Sequence, residues 1–186
     1  NLKPSNVFLD SPPSLFRHDE ARWVVLDFGS DAVLTHARRT TGYNLFSSAG
    51  YAAPEQSAFR AVDHRADIFA VGAIIYRALT GHPAFGGRDS ASTLYLAAEV
   101  QPTRPSALVD VHPDVDSVFA LALAKEPEDR FDSIALFARA FRAACLGQLD
   151  GELRHRAIRL ITRDPFAEAG QTGADMCTTT LSRRAA

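Results

Sequence analysis

The apolar run IFAVGAIIY at residues 68–76 constrains the fold more than any other feature of this sequence. Ile68, Val71, Ile74, Ile75, Ala78 and Leu79 point to most sides of a helix that begins near Asp63 and is stopped by Gly81 and Pro83. A helix that is apolar all round must be covered all round, so this one is expected to run through the middle of a helical core. The run is far too short to cross a bilayer and ends at Arg77. No membrane segment and no signal peptide are therefore expected in this chain.

Around that helix the pattern predicts further helices over residues 91–100, 115–124 and 133–146, with Asp132 placed to cap the last. Short apolar runs at residues 6–9 and 23–26 read as two strands of a hairpin. The segment between them, residues 10–20, carries Pro12, Pro13 and several charges, and reads as a surface insertion. After Gly29, a stretch rich in Thr, Ser, Arg and Gly runs to Tyr51 without periodicity, as an exposed functional loop would. Residues 152–163 form an amphipathic pattern through Leu153, Ile158 and Ile161, a docking helix or linker. Residues 164–186 are small and polar and are expected to be unstructured. No internal repeat is found.

With 186 residues, 46% hydrophobic and 23% charged, the chain can bury one sizeable core. A formal charge of -2 provides no global basic field, so neither nucleic acid nor an anionic membrane surface is an implied partner. Cys145 and Cys177 lie far apart and match no disulfide framework, which points to a reducing, cytoplasmic compartment. The six histidines are scattered, with no metal-ligand spacing among them.

Four short motifs carry chemistry. In Asn1-Leu2-Lys3-Pro4-Ser5-Asn6, a Lys and an Asn three residues apart on a tight turn can reach one phosphate–metal site. The Lys acts there as a point charge and the Asn carbonyl as a hard oxygen ligand. In Asp27-Phe28-Gly29, a carboxylate leaves a strand end at a glycine that lets the chain turn sharply. Ala53-Pro54-Glu55 closes the long loop, and Asp67 with Gly72 opens the apolar helix. Taken singly, each also reads as an ordinary turn, helix start or cap.

In this order and spacing the motifs make residues 1–147 resemble the protein kinase superfamily, specifically the bacterial, eukaryotic-like Ser/Thr kinases. Leu79-Thr80-Gly81-His82-Pro83-Ala84-Phe85 and Ala124-Lys125-Glu126-Pro127-Glu128-Asp129-Arg130-Phe131 extend the likeness. The implied fold class is α+β: the mainly α-helical C-terminal lobe of the kinase fold, a small β-hairpin at the catalytic site and no N-terminal lobe. Residues 148–186 would follow it as a separate helix and tail.

The resemblance implies ATP and Mg²⁺ as cofactors and a protein substrate or regulated partner. Lys3 would sit beside the γ-phosphate, Asn6 and Asp27 would hold Mg²⁺ against the phosphates, and Gly29 would turn the chain. Ser48 would help place the substrate Ser or Thr. Thr40, Thr41 and Ser47 are candidate phosphorylation sites, with Arg38 and Arg39 near enough in sequence to answer a phosphate. Glu55 and Arg130 resemble the ion pair that ties the end of the activation segment to the helical lobe, and Asp67 resembles a buried carboxylate at a helix N-terminus.

The chain departs from the family at Asn1, which stands where active kinases place the aspartate that orients and deprotonates the substrate hydroxyl. An Asn amide accepts a hydrogen bond but takes no proton near neutral pH. The Gly-rich loop, the strand lysine and its glutamate partner are all upstream features, so the natural protein is expected to begin before Asn1. The isolated chain is expected to bind ATP poorly and to be inactive. Two readings stand: a kinase that phosphorylates Ser or Thr of proteins, and a pseudokinase that serves as a nucleotide-binding scaffold or regulator. A small-molecule phosphotransferase would not be expected to pair Ala53-Pro54-Glu55 with Asp67 and Arg130.

Overall fold

The computed structural model describes residues 2–10, 22–26, 49–58 and 60–168, and divides into two compact units, 1–44 and 45–186. In the first unit, Pro4–Asn6 form a single 3₁₀ turn that leads into strand β1, Val7–Asp10. Strand β2, Arg22–Val25, pairs with it antiparallel, in a register that sets Val7 opposite Val25 and Asp10 opposite Arg22. The strands start one residue off the expected positions because Asn6 is held in the turn: its N–H donates to the Lys3 carbonyl at 2.9 Å.

The second unit is helical. Helix α1, Pro54–Ser57, follows the Ala53 cap, and α2, Arg65–Thr80, is the long apolar helix read from the sequence. Gly81, at φ 75°, ends α2 in the left-handed region, and the Gly81 N–H donates to the Arg77 carbonyl at 2.9 Å. Helix α3, Ser90–Glu99, is capped by Asp89, whose carboxylate accepts from the Ser92 N–H at 2.7 Å. That hydrogen bond holds the Asp89 pKa below the usual carboxylate range. Helix α4 is Asp114–Ala122, α5 is Ile134–Cys145 and α6 is Gly151–Arg163. The α5 cap is Ser133, which accepts from the Leu136 N–H at 3.2 Å, and not Asp132 as expected. Ser133 has the extended backbone that a cap needs, and its short hydroxyl reaches the third amide.

The most enclosed element is α4 rather than α2, since all its residues from Asp114 to Ala122 are buried. It carries two carboxylates into the core, and each is answered. Asp116 accepts from the Ser106 N–H at 2.9 Å and from its hydroxyl at 2.6 Å. Asp114 receives both the Nε and a terminal nitrogen of Arg154, each at 2.8 Å, and the Leu149 N–H at 3.2 Å. Arg154 is the main reason the Asp114 pKa is lowered. Rings close the rest of the core: Tyr76 meets Phe119 edge-on at 5.5 Å, and Phe119 meets Phe141 at 5.7 Å.

Helix α6 lies against α4 through buried Ala157 and Leu160, with Leu153 and Ile161 packed beside them. Ile158, expected on that face, is exposed instead, because Ala157 and Leu160 occupy the contact stripe. The chain continues past α6 into a short bridge, with Ala167 parallel to Thr103 and the Ala167 N–H donating to the Pro102 carbonyl at 3.1 Å. Residues 164–168, read as the start of an unstructured tail, are thus placed on the helical unit. Residues 169–186 lie outside the described residues.

Candidate active site

Lys3 and Asn6 occupy one turn. Proline at the first 3₁₀ position presets its φ, the Lys3 carbonyl closes it, and the Asn6 side chain is buried while Lys3 is half-buried. The Asn6 carbonyl in turn accepts from the Leu26 N–H at 2.8 Å. The residue that precedes Asp27 is therefore tied to the residue expected to share a metal with it. Asn1, Asp27, Gly29 and Ser48 lie outside the described residues, as do Arg38, Arg39, Thr40, Thr41 and Ser47.

The structure brings together the other expected pair. Glu55 and Arg130 form a two-pronged ion pair at 2.7 and 2.8 Å, with both side chains almost wholly out of solvent. All five guanidinium N–H groups of Arg130 have acceptors: the two Glu55 oxygens and the carbonyls of Ala124, Arg65 and Lys125, at 2.9, 3.1 and 3.1 Å. The plane of the guanidinium also lies over the Phe69 ring, 5.0 Å from its centroid. This is the geometry under which a buried charge pair is tolerated, with every lone proton answered.

Asp67 stands in the first turn of α2, as expected, but its side chain is exposed and not buried. Its neighbours Ala66, Ile68, Phe69 and Ala70 take the core side at that end of the helix. The carboxylate meets solvent there, where the unpaired N–H groups of the first turn still favour its charge.

Sequence reasoning assigned no role to Lys125, although it lies in a quoted motif. Its ammonium is enclosed, donating to the Ala97 and Val100 carbonyls at 2.8 and 2.6 Å and lying 4.4 Å from the centre of the Phe85 ring. Burial, with the Arg130 charge nearby, pulls its pKa down to about 7. Lys125 thereby ties the C-terminal end of α3 to the turn that carries Arg130. Nothing short-range announces this, because its acceptors lie 25 and 28 residues away.

Beside the segment leading to α1 is a hollow of about 300 Å³, lined by Gly50, Tyr51, Arg77, Phe85, Asp89 and Thr93 among others. Arg77 donates to the Tyr51 hydroxyl at 3.2 Å across it. Its wall mixes a cation, a carboxylate, hydroxyls and an aromatic face.

A helical lobe locked by a glutamate–arginine pair, with a Lys–Asn turn feeding a hairpin, is the architecture of a protein kinase domain. Residues 1–140 match the family described as "Protein kinase domain", and the chain belongs to that family. Its relatives are bacterial serine/threonine kinases. It is 39% identical over 148 residues to "Serine/threonine-protein kinase Pkn1" of Myxococcus xanthus, covering 77% of this chain and 20% of that protein. It is 32% identical over 140 residues to "Serine/threonine-protein kinase PknL" of Mycobacterium tuberculosis, covering 74% of this chain and 33% of that protein. Among solved structures, the PknI kinase domain of Mycobacterium tuberculosis matches with a TM-score of 0.51 at 28% identity, over 77% of this chain and 44% of that one. The chain thus spans between a fifth and a third of the length of these two curated relatives.

Proposed function

We propose that this chain is part of an enzyme that transfers the γ-phosphoryl of ATP to Ser or Thr of a protein, working in the cytoplasm. The observation that carries the reading is the Lys3–Asn6 turn and its hydrogen bond to Leu26, which together hold a cation, a carboxamide oxygen and the backbone leading to Asp27 in one small unit. Hard oxygen ligands of this kind suit Mg²⁺, which when bound would offset phosphate charge. Asn6 and Asp27 would hold the ion, and Lys3 would hold the γ-phosphate by charge. Ser48 would help place the substrate hydroxyl. No helix among the described residues is long and apolar enough to cross a membrane.

One specific residue favours a second reading, a nucleotide-binding scaffold or regulator: Asn1, which cannot act as a base. Loss of a general base costs about 10²–10⁴ in rate, but phosphoryl transfer rests mainly on positioning and charge, which Lys3, Asn6 and Asp27 would still supply. The deciding experiment measures transfer of labelled γ-phosphate by a protein carrying a complete kinase domain, in its natural form and as Asn1→Asp, Lys3→Met and Asp27→Asn. A kinase transfers in its natural form and loses activity with Lys3→Met or Asp27→Asn. Silence in the natural form, with activity appearing only in Asn1→Asp, establishes the scaffold.

A further inference from the structure

The described residues that bear on Arg130 include one contact from outside the matched domain. Helix α6 follows the region of family likeness at residues 1–140, yet it grips the turn that presents Arg130 at three successive residues. Arg156 donates to the carbonyl of Glu128 at 3.2 Å and to the carbonyl of Arg130 itself, and Arg163 pairs with Asp129 at 2.6 Å. Arg163 is steadied in turn by Asp164 at 2.8 Å. Glu128 and Asp129 belong to a single short 3₁₀ turn, Pro127–Asp129, and Arg130 follows it as its cap. Its far end delivers a fully buried guanidinium to Glu55, and Glu55 belongs to α1, directly after residues 49–53.

We propose that Arg156 is a positioning residue for the segment at residues 49–57, acting through the backbone of Arg130 and the Arg130–Glu55 pair. Two facts point the same way. The Arg156 bonds are made to backbone carbonyls, which any side chain at positions 128 and 130 would present, so they fix the turn itself. The Arg130 guanidinium has no spare donor and packs against Phe69, so a displaced turn must break bonds rather than exchange them. The segment has other anchors as well: Ala49, Ala52 and Ala53 are buried, Tyr51 packs on the core and its hydroxyl accepts from Arg77, and Gly50 approaches the Phe85 carbonyl, where an added Cβ would come within 3.2 Å; the Arg130–Glu55 pair is the ionic anchor at its far end. A helix beyond the matched domain would then set how firmly residues 49–57 are held. Any event that lifts α6 would loosen the end of that segment.

This inference does not depend on catalysis, and its test reads backbone opening by native-state hydrogen exchange in the full chain. Arg156→Gln is expected to speed exchange of the amides of residues 50–57 by about tenfold, the order of one lost charge-assisted hydrogen bond. Amides of α4 are expected to stay unchanged. Arg156→Lys, which keeps the charge on a shorter side chain, should give a smaller rise, and Arg159→Ala, an exposed change on the same helix, none. In a Glu55→Gln background Arg156→Gln should add nothing at residues 50–57. Unchanged exchange at those residues, an equal rise throughout α4, or full additivity with Glu55→Gln would each overturn the proposal. Should Arg156→Gln not fold, the Arg156→Lys comparison with and without Glu55→Gln decides the same question.

Discussion

Arg130 and Glu55 are partners of unequal weight. Glu55 accepts two hydrogen bonds from one residue, whereas Arg130 also donates to three carbonyls and covers an aromatic face. Glu55→Gln removes the charge and leaves a buried guanidinium with a neutral acceptor, a change expected to cost about 3–5 kcal/mol. Arg130→Met should cost more, because it orphans a buried carboxylate together with three carbonyls. The double variant should be less destabilised than the sum of the two singles, since neither charge is then left unpaired. Urea denaturation of the four proteins checks the order, and equal costs for the two single changes would contradict it. At this scale the sequence was informative where family spacing was the signal, as with Glu55 and Arg130, separated by 75 residues. It was uninformative where a partner is chosen by packing, as with Arg154, which finds Asp114 across 40 residues. The exposure of Asp67 belongs to the same class: a position in a helix was legible, but the cover over it was not.

Among the elements, the contact of α2 with α4 is set by Gly72. A Cβ there would stand 3.2 Å from the Ala122 Cβ and 3.2 Å from a Leu123 methyl, so the two helices approach as closely as a hydrogen atom allows. Gly72→Val is expected to force them apart at a cost of about 1–3 kcal/mol, larger than any gain in helix propensity, with the loss read as a fall in denaturation midpoint. No change in midpoint would show that the helices can slide without penalty. Helix positions followed from apolar period and from stops such as Gly81, and the observed bounds differ from the expected ones by a few residues at most. Ranking the helices by burial did not follow. Helix α4 buries Asp114, Asp116 and Ser117 along with its apolar residues, and only the assembled structure supplies Arg154 and Ser106 to two of them.

For the molecule as a whole, the notable addition is that residues 148–168 complete the helical unit. Leu160 and Ala157 fill its surface over α4, Arg154 neutralises the buried Asp114, and Phe166 packs under the Arg104 guanidinium at 5.7 Å. A chain ended at Gly147 should lose about 1.5–3 kcal/mol for Leu160 alone and leave Asp114 without its cation. Its denaturation is expected to broaden, and it should bind hydrophobic dye in buffer. A truncated chain as stable and as dye-silent as the parent would show that the last helix is only an appendage. The helical lobe of the kinase fold was legible because its motifs are ordered along the chain, whereas the brace was not, because its meaning lies in what it touches.

The Glu55–Arg130 lock also has a history in time. Its partners are 75 residues apart, so the intervening chain must be closed into a loop before a single bond forms, at an entropic cost that grows with the logarithm of loop length. Until α2 is in place, Arg130 has neither the Phe69 ring nor the Arg65 carbonyl, and the pair has no dry place in which to form. The lock is then expected to form late in folding and to go early in unfolding, so its removal should speed unfolding more than it slows folding.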